Sequence, residues 1–351
     1  MREGNDFRFF RRRDRKPGHK VRKTTIGFLL LCAAALISLG SPGGSPQVLN
    51  YFEGGRKPAL EIMKIGGGLY LAKGEWGANV GFFVGDDGVF IIDSKTTSGA
   101  TKKVVQEIRK ITSKPITKVA FTHSDSDCFN GYDVYPATAE IICSLKCRQE
   151  LAEGRWTFLE MNAPSDIYSS GPTSMPMSDF HPAVSFGGQL NLRFGSETIE
   201  LFQYGSAHTS GDVVIWFSAR GVAFIGDLVF VHHDPLIQRH KGGYSFGLVT
   251  TLSSLLKTRP EIRTFIPSHA DPIDRDELAA IVRSIEEIQA KVLAMVDEGK
   301  TLEDVKKAFQ ISEAPQGAGN WVWPRLAATV YQELTERRMP EKIPAVERGG
   351  R

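Results

Sequence analysis

The pattern that most restricts the fold is a series of short apolar stretches between positions 62 and 267, many of them joined by tight turns. Runs of four to eight apolar residues, bounded by Gly, Asp or Ser, are typical of strands. The stretches at 79–84 and 88–93 flank Gly85-Asp86-Asp87, which predicts a hairpin. The other predicted strands lie at 62–65, 68–71, 116–121, 140–143, 190–194, 197–204, 213–217, 222–225 and 265–267.

Segments with apolar residues at helical spacing lie between some of these strands and make up most of the last part of the chain. It predicts helices at 98–111, 145–153, 274–298, 302–309 and 326–337. Strand pairs joined by hairpins, mixed with helical connections, favour two mixed sheets with helices outside over a single doubly wound sheet. The segment at 154–185 shows no clear period, and a loop of that length often borders a binding site.

Residue types that bind metals follow four of the predicted strands. They lie at 123–128 (H-S-D-S-D-C), at His208, at Asp227 and at His269. In an extended segment, side chains two residues apart point to the same side, so the alternate residues of the first cluster can converge. Imidazoles, carboxylates and one thiol suit zinc, with iron or manganese as alternatives.

In order and spacing, these clusters resemble the metallo-β-lactamase superfamily. Its first motif, T-H-x-H-x-D-H-x-x-G, is matched by T-H-S-D-S-D-C-F-N-G at 122–131, and Asp93 matches the strand-borne Asp that supports the motif loop. The resemblance covers roughly 49–283. It implies an α+β fold, the four-layer αβ/βα sandwich of two mixed β-sheets, in a domain at 47–283. A C-terminal helical extension at 284–340 and a flexible tail at 341–351 would follow.

The resemblance also implies a set of metal ligands. Seven side chains are predicted ligands: His123, Asp125 and His208 for one ion, Asp127, Cys128 and His269 for a second, and Asp227 as a bridge between them. Asp127 is in addition the candidate catalytic residue, orienting the nucleophile or moving its proton. His232 and His233 are weaker candidates for substrate binding, with an exposed polar loop as the alternative.

Two of these residues depart from the family pattern. Asp125 and Cys128 stand where the motif has histidines. Both are competent ligands, but each adds a negative charge. We therefore expect weaker Lewis acidity and a higher pKa of bound water than at an all-histidine site. An acidic residue at the position of Asp125 is also similar to the flavodiiron branch of the superfamily, which has Glu there and binds iron.

The function implied by the resemblance is metal-dependent hydrolysis. A metal-bound hydroxide would attack the carbonyl of an ester, thioester, lactone or amide, β-lactams included, with one or two zinc ions as cofactor. Two alternatives stay open. One is an iron-binding redox or oxygen-using protein on the same scaffold, and the other is a non-catalytic binding protein with a degenerate site. The expected partner is a small-molecule substrate, and the oligomeric state stays open.

The uneven distribution of charged residues along the chain indicates where the protein is located in the cell. Of the 351 residues, the first 46 include ten basic and three acidic side chains, a net charge of +7, whereas the remainder, with 33 basic and 37 acidic, carries −4. The basic block precedes an uncharged apolar run at 26–39 and then small residues, which is typical of a secretory signal peptide and linker at 1–46. We expect a periplasmic or secreted protein without stable membrane insertion after cleavage, an uncleaved anchor being the alternative. This reading also argues against a nucleic-acid-binding arm.

Three cysteines lie beyond the signal segment. Cys128 is a predicted metal ligand, with a disulfide as the alternative in an oxidising compartment. Cys143 and Cys147 fit either a disulfide or two buried thiols.

Overall fold

The strands pair as two sheets. The computed structural model describes residues 59–75, 77–154, 180–231, 233–311 and 325–336. All of them belong to one of two units of the chain, Gly44–Arg351, while the other unit, Met1–Gly43, lies outside the described residues. Also outside them are residues 155–179 of the predicted loop, the predicted tail at 341–351 and the rest of the predicted signal and linker segment.

The first sheet has seven strands in sequential order, β1 to β7. They are β1 Glu61–Gly66, β2 Leu69–Lys73, β3 Val80–Gly85, β4 Gly88–Ile92, β5 Ile116–Ala120, β6 Glu140–Ser144 and β7 Val184–Phe186. Strands β1 to β4 are antiparallel, and β4 to β7 run parallel. The predicted hairpin joins β3 and β4, where Gly85 pairs with Gly88. Gly88 has a φ of 128°, a conformation that favours glycine.

The second sheet has six strands in the order β13-β12-β11-β10-β9-β8. They are β8 Gln189–Phe194, β9 Glu197–Phe202, β10 Val214–Phe217, β11 Val222–Gly226, β12 Thr264–Pro267 and β13 Ile273–Asp274. Only the pair β11 and β12 is parallel in this described sheet. A helix makes the connection between these two, as a parallel crossover requires.

Helices cover the outer faces of both sheets. The described α-helices are α1 Ser98–Ile111, α2 Ser126–Phe129, α3 Leu145–Ala152, α4 Ser245–Thr258, α5 Arg275–Asp297, α6 Leu302–Ala308 and α7 Leu326–Thr335. Apolar residues of α1 and α3 pack on the first sheet, and those of α4 to α7 pack on the second. Between the sheets lies a separate core with four aromatic rings in edge-to-face contact, Phe83, Phe90, Phe194 and Phe217. The predicted four-layer αβ/βα sandwich of two mixed sheets is thus confirmed.

Four described strands and α-helices have no counterpart among the predicted ones: β7, α2, α4 and β13. Helix α4 (S-F-G-L-V-T-T-L-S-S-L-L-K-T) contains one glycine and many β-branched or hydroxyl side chains, which are weak helix formers. Its tertiary contacts stabilise it instead, because Leu248, Leu252 and Leu255 are fully buried against the second sheet. β7 and β13 have three and two residues, too few to show a period.

The C-terminal helices are present as predicted. Helix α5 begins with a capping box, in which Asp274 and Glu277 each accept a hydrogen bond from the other's backbone N–H. It continues without interruption through position 284, the predicted start of the extension. Among the helices that the structure describes, none combines the length and apolarity needed to cross a bilayer.

Candidate metal centre

The candidate ligands lie at one edge of the sandwich, where strands of both sheets end. The 123–128 segment follows β5 of the first sheet, while His208, Asp227 and His269 follow β9, β11 and β12 of the second. Backbone hydrogen bonds join the sheets here. The N–H of Val213 donates to the carbonyl of Thr122 at 2.8 Å, and that of Asn79 donates to the carbonyl of Ser268 at 2.7 Å. The site is therefore assembled across the two sheets.

The approach of the sheets requires a glycine before Asp227. Gly226 has a φ of 57°, and a Cβ there would lie 3.0 Å from the Cβ and Oγ1 of Thr122. It would also lie 3.3 Å from Nδ1 of His123. A larger residue would strain the backbone and push away the loop that carries the first ligands.

Four side chains form the first of two groups. The ligand atoms of His123, Asp125, His208 and Asp227 all lie within 4.8 Å of one another. Nε2 of His208 is 3.2 Å from Oδ2 of Asp125, and Nε2 of each histidine is 3.7 Å from Oδ2 of Asp227. All four residues are buried. Two imidazoles and two carboxylates at this separation can surround one cation.

Hydrogen bonds behind the two histidines direct their Nε2 atoms into the group. Nδ1 of His208 donates to the carbonyl of Leu236 at 2.6 Å. Nδ1 of His123 lies 2.9 Å from Oγ1 of Thr122, which donates to Oδ2 of Asp93 at 2.8 Å. Because Thr122 gives its proton to Asp93, it accepts one from His123. Such outer partners fix the tautomer that presents a lone pair to a metal.

The second group surrounds Asp127. Oδ2 of Asp127 lies 2.9 Å from Nε2 of His269, which is 3.4 Å from Oδ1 of Asp227. The one-turn helix α2 places Cys128 beside this group, with its ligand atom within 4.8 Å of those of His123 and Asp127. Its Sγ is 3.7 Å from Nε2 of His123. Asp227 thus has one oxygen toward each group, the arrangement expected of a bridging carboxylate.

The charges of the site are those of a cation site. Burial raises the pKa of Asp227 and Asp125, but the neighbouring positive groups together outweigh it, chiefly His269 and His123 for Asp227 and Lys241 and His208 for Asp125. Both pKa values therefore lie below their ordinary range. Burial lowers the pKa of His208, yet the surrounding carboxylates, Asp125 first and then Asp227, together raise that pKa to about 10. The carboxylates are therefore ionised and attract positive charge. Oδ1 of Asp227 makes no hydrogen bond within the described residues, and a metal ion would satisfy it.

The thiol of Cys128 behaves differently. Burial, together with the charge of Asp127, raises its pKa well above the ordinary value. A buried thiol of this kind becomes a thiolate only when a metal replaces its proton.

Comparisons with known proteins agree with this geometry. Residues 147–269 match the family model of the metallo-beta-lactamase superfamily. A metallo-beta-lactamase type 2 of Bacillus sp. (strain 170) is 23% identical over 188 residues, 54% of this chain and 65% of its own length. One of Elizabethkingia meningoseptica is 22% identical over 266 residues, 74% of this chain and 95% of its own length. Over these residues the chain is similar in sequence to the metallo-β-lactamase superfamily.

Solved structures show the same fold. A metallo-beta-lactamase from Pontibacter korlensis has a TM-score of 0.54 at 17% identity, covering 65% of this chain and 99% of that one. The stereoselective inverting sec-alkylsulfatase Pisa1 from Pseudomonas sp. has a TM-score of 0.57 at 15% identity, covering 80% of this chain and 51% of that one. The two solved proteins are named for different reactions, so the fold alone does not identify a substrate.

The structure adds residues at this candidate site that the sequence did not reveal. Nζ of Lys241 is 2.8 Å from Oδ1 of Asp125, and Nε2 of Gln238 donates to Oδ2 of Asp125 at 2.9 Å. A second fully buried lysine, Lys95, donates to the carbonyls of Gly74 and Ala78 at 2.7 and 2.6 Å. None of these residues belongs to a recognisable motif. The one available hint was Asp125 itself, because a carboxylate in place of the motif histidine could have suggested a lysine partner elsewhere in the chain.

The remaining candidates divide as follows. His232 lies outside the described residues, and His233 is partly buried in the loop after β11, so their role in substrate binding stays a prediction.

Cys128, Cys143 and Cys147 are all free, buried thiols. Of the two alternatives for Cys143 and Cys147, the structure shows the thiol pair and not the disulfide.

Proposed function

We propose that this protein is a metal-dependent hydrolase that cleaves an ester, thioester, lactone or amide bond, with β-lactams among the candidate substrates. The observation that carries the proposal is the convergence of seven ligand-type side chains at one edge of the sandwich, with Asp227 between two groups. The similarity of residues 147–269 to the metallo-beta-lactamase superfamily supports it. Because the chain covers 65% of the length of the Bacillus relatives, their activity reaches this chain only as a proposal.

The donor set fits two ions. His123, Asp125 and His208 would bind the first ion through nitrogen and oxygen atoms. Asp127, Cys128 and His269 would bind the second. Zinc is the ion we propose, since imidazole, carboxylate and thiolate are its usual ligands. When bound, such ions supply Lewis acidity for the scissile carbonyl and lower the pKa of a water molecule.

Asp127 is the residue we assign to proton transfer. Its side chain is 14% exposed, compared with 3% for Asp125 and 4% for Asp227, so it is the carboxylate of the set that a substrate can best approach. Its Oδ2 faces Nε2 of His269 at 2.9 Å, which fixes the carboxylate in one orientation. A carboxylate held in this way can take a proton from the attacking water and return it to the leaving group.

The test is to measure metal content and hydrolysis together. Purified protein is reconstituted with Zn²⁺, Fe²⁺ or Mn²⁺ and analysed by elemental mass spectrometry. It is then assayed on chromogenic β-lactam, ester, thioester, lactone and sulfate-ester substrates. We expect bound zinc and hydrolysis of at least one carbonyl substrate, lost in Asp227→Ala. Failure to bind metal, or hydrolysis unchanged in Asp227→Ala, would contradict the proposal, and iron retention with a visible absorption band would favour the redox alternative.

We further propose that the protein acts in the periplasm or outside the cell. The basic block and apolar run at 1–39 support this. Cell fractionation followed by N-terminal sequencing of the full-length gene product tests it. A mature N-terminus soon after position 40 in the soluble exported fraction is expected. An intact N-terminus in the membrane fraction would favour the anchored alternative, and a cytoplasmic location would contradict export.

A further inference from the structure

A fully buried lysine lies directly behind one of the predicted ligands. Lys241 is 0% exposed and ends the short 3₁₀ turn Arg239–Lys241 in the loop between β11 and α4. Its Nζ lies 2.8 Å from Oδ1 of Asp125 and donates to the carbonyl and Oγ of Ser124, each at 3.2 Å. An ammonium group has three protons, and three acceptors for them lie among the described residues. A buried charge is tolerated only when it is paired and hydrogen-bonded in this way.

The two oxygens of Asp125 have different surroundings. Oδ1 accepts from Lys241, whereas Oδ2 faces Nε2 of His208 at 3.2 Å and accepts from Gln238 at 2.9 Å. The lysine therefore holds the carboxylate by one oxygen. The other oxygen is turned toward the group of ligands that includes His123 and Asp227.

A neighbouring buried acid has its own partners. Oε2 of Glu150 accepts from Oγ of Ser124 at 2.6 Å, and Oε1 accepts from the N–H and Oγ of Ser210 at 3.1 and 2.6 Å. Hydroxyl and backbone donors thus stabilise both oxygens of Glu150. The described ion pair of Lys241 is with Asp125.

We propose that Lys241 is a positioning residue that balances the charge of Asp125 and directs its Oδ2 to the metal, so that the Asp125–Lys241 pair replaces the motif histidine. A carboxylate with an ammonium partner has the net charge of a neutral imidazole. The sequence alone led us to expect that the negative charge of Asp125 would weaken the Lewis acidity of the bound ion. Because Lys241 cancels that charge, this contribution of Asp125 is removed. The inference rests on the metal centre of the proposed function.

The test is a double-mutant cycle of the full chain with four proteins: wild type, Lys241→Met, Asp125→His and Asp125→His/Lys241→Met. The readout is Zn²⁺ affinity and stoichiometry, measured by competition with a chromophoric chelator at fixed pH and salt. We expect Lys241→Met alone to weaken the first site by about 10- to 100-fold, as loss of an outer partner does. In Asp125→His, Lys241 faces a neutral ring and repels the ion. The double variant regains affinity to within about threefold of wild type.

Arg275→Met is the matched control. Arg275 is a partly buried cation at the start of α5 that donates to the carbonyls of Arg259, Ile262 and Leu256 at 3.0, 2.9 and 2.5 Å. Its loss removes buried cation contacts away from the ligands. We expect a lower melting temperature and unchanged Zn²⁺ affinity. If Lys241→Met does not fold, Lys241→Gln, which keeps a donor without the charge, takes its place with the same expected pattern.

Two results would overturn the inference while leaving the proposed function intact. One is Zn²⁺ affinity unchanged by loss of Lys241. The other is an equal loss of affinity from Lys241→Met in the wild-type and Asp125→His backgrounds, which would make the lysine merely structural. Wild-type protein that binds no metal would overturn both the inference and the proposed function.

Discussion

Asp93 shows how a residue outside the set of candidate ligands can orient one of them. It follows β4 with a φ of 63°, a left-handed conformation that Asp tolerates better than most residues. Its Oδ1 accepts from the N–H of Thr122 and its Oδ2 from the hydroxyl of Thr122, both at 2.8 Å. The same hydroxyl lies against Nδ1 of His123. The carboxylate therefore fixes both the loop and the orientation of the first ligand.

We predict that Asp93→Asn weakens Zn²⁺ binding by about 10- to 100-fold, because an amide cannot accept both hydrogen bonds from Thr122. Affinity by chelator competition is the measurement. Asp133→Asn is the control, since Asp133 accepts from the exposed hydroxyl of Ser98 at 2.7 and 2.9 Å, away from the site. Equal affinities for the two variants would contradict the prediction.

We predict that Cys128 binds the second ion and not the first. In Cys128→Ala, zinc stoichiometry should fall from two ions toward one, because the group of His123, Asp125, His208 and Asp227 does not depend on the thiol. Substitution with Co²⁺ should show a thiolate charge-transfer band in wild type that the variant lacks.

Cys143→Ala is the matched control, since Cys143 is an equally buried free thiol in β6. It should keep both the stoichiometry and the band. A thiolate band that persists in Cys128→Ala would show that Cys128 is not the ligand.

The sequence predicted the candidate ligands better than their supports. The ligands are recognisable because each follows a strand, in the order of a known motif. Lys241 is 116 positions from Asp125, and nothing in Q-R-H-K-G-G indicates that its side chain is buried. Such a pair depends on tertiary packing, which one sequence does not encode in any local pattern.

At the level of elements, helix α7 packs against the loop that carries Gln238 and Lys241. Asp234 in that loop accepts from Nε of Arg325 at 2.6 Å and from the N–H of Leu326 at 3.1 Å, at the start of the helix. Near the other end of the loop, the N–H of Ser245 donates to Oε1 of Glu333 at 2.9 Å. The C-terminal helix therefore stabilises the segment that reaches Asp125, a role that its amphipathic sequence did not reveal.

Glu333 gives this contact a dependence on pH. Burial raises its pKa above the ordinary value, although hydrogen bonds from Ser245 oppose the shift. A group whose pKa is raised in the folded state contributes stability that is complete below its unfolded pKa and is lost as the pH rises through the folded pKa. Glu333→Gln has no such loss. The melting temperature of Glu333→Gln minus that of wild type should therefore increase as the pH rises from about 4.5.

Thermal unfolding of both proteins at a series of pH values, with a chelator present throughout, measures that difference. Arg275→Met, which carries no titrating acid, should show an offset from wild type that does not vary with pH. A difference for Glu333→Gln that is constant across the series would rule out the effect.

At the level of the whole molecule, the candidate metal centre joins two halves. The 123–128 segment belongs to the first sheet, whereas His208, Asp227 and His269 belong to the second. The aromatic core between the sheets holds them together from within. The hairpins and strand-rich pattern made two sheets predictable, but the contact between their edges depends on Gly226 and on long-range hydrogen bonds that no strand pattern contains.

Because the ligands come from both sheets, metal should stabilise the fold as a whole. A ligand that binds only the folded state adds about 2.7 kcal/mol at a free concentration 100 times its Kd. For a domain of this size, that corresponds to a rise in Tm of roughly 5–10 °C. The rise should shrink as the pH falls below about 10. In the metal-free protein His208 and His269 each have a pKa near 10, raised by Asp125 and by Asp227 against the effect of burial, so the ion must displace their protons. Differential scanning calorimetry with and without Zn²⁺ measures the rise, Asp227→Ala should abolish it, and an equal rise in that variant would mean that zinc binds elsewhere.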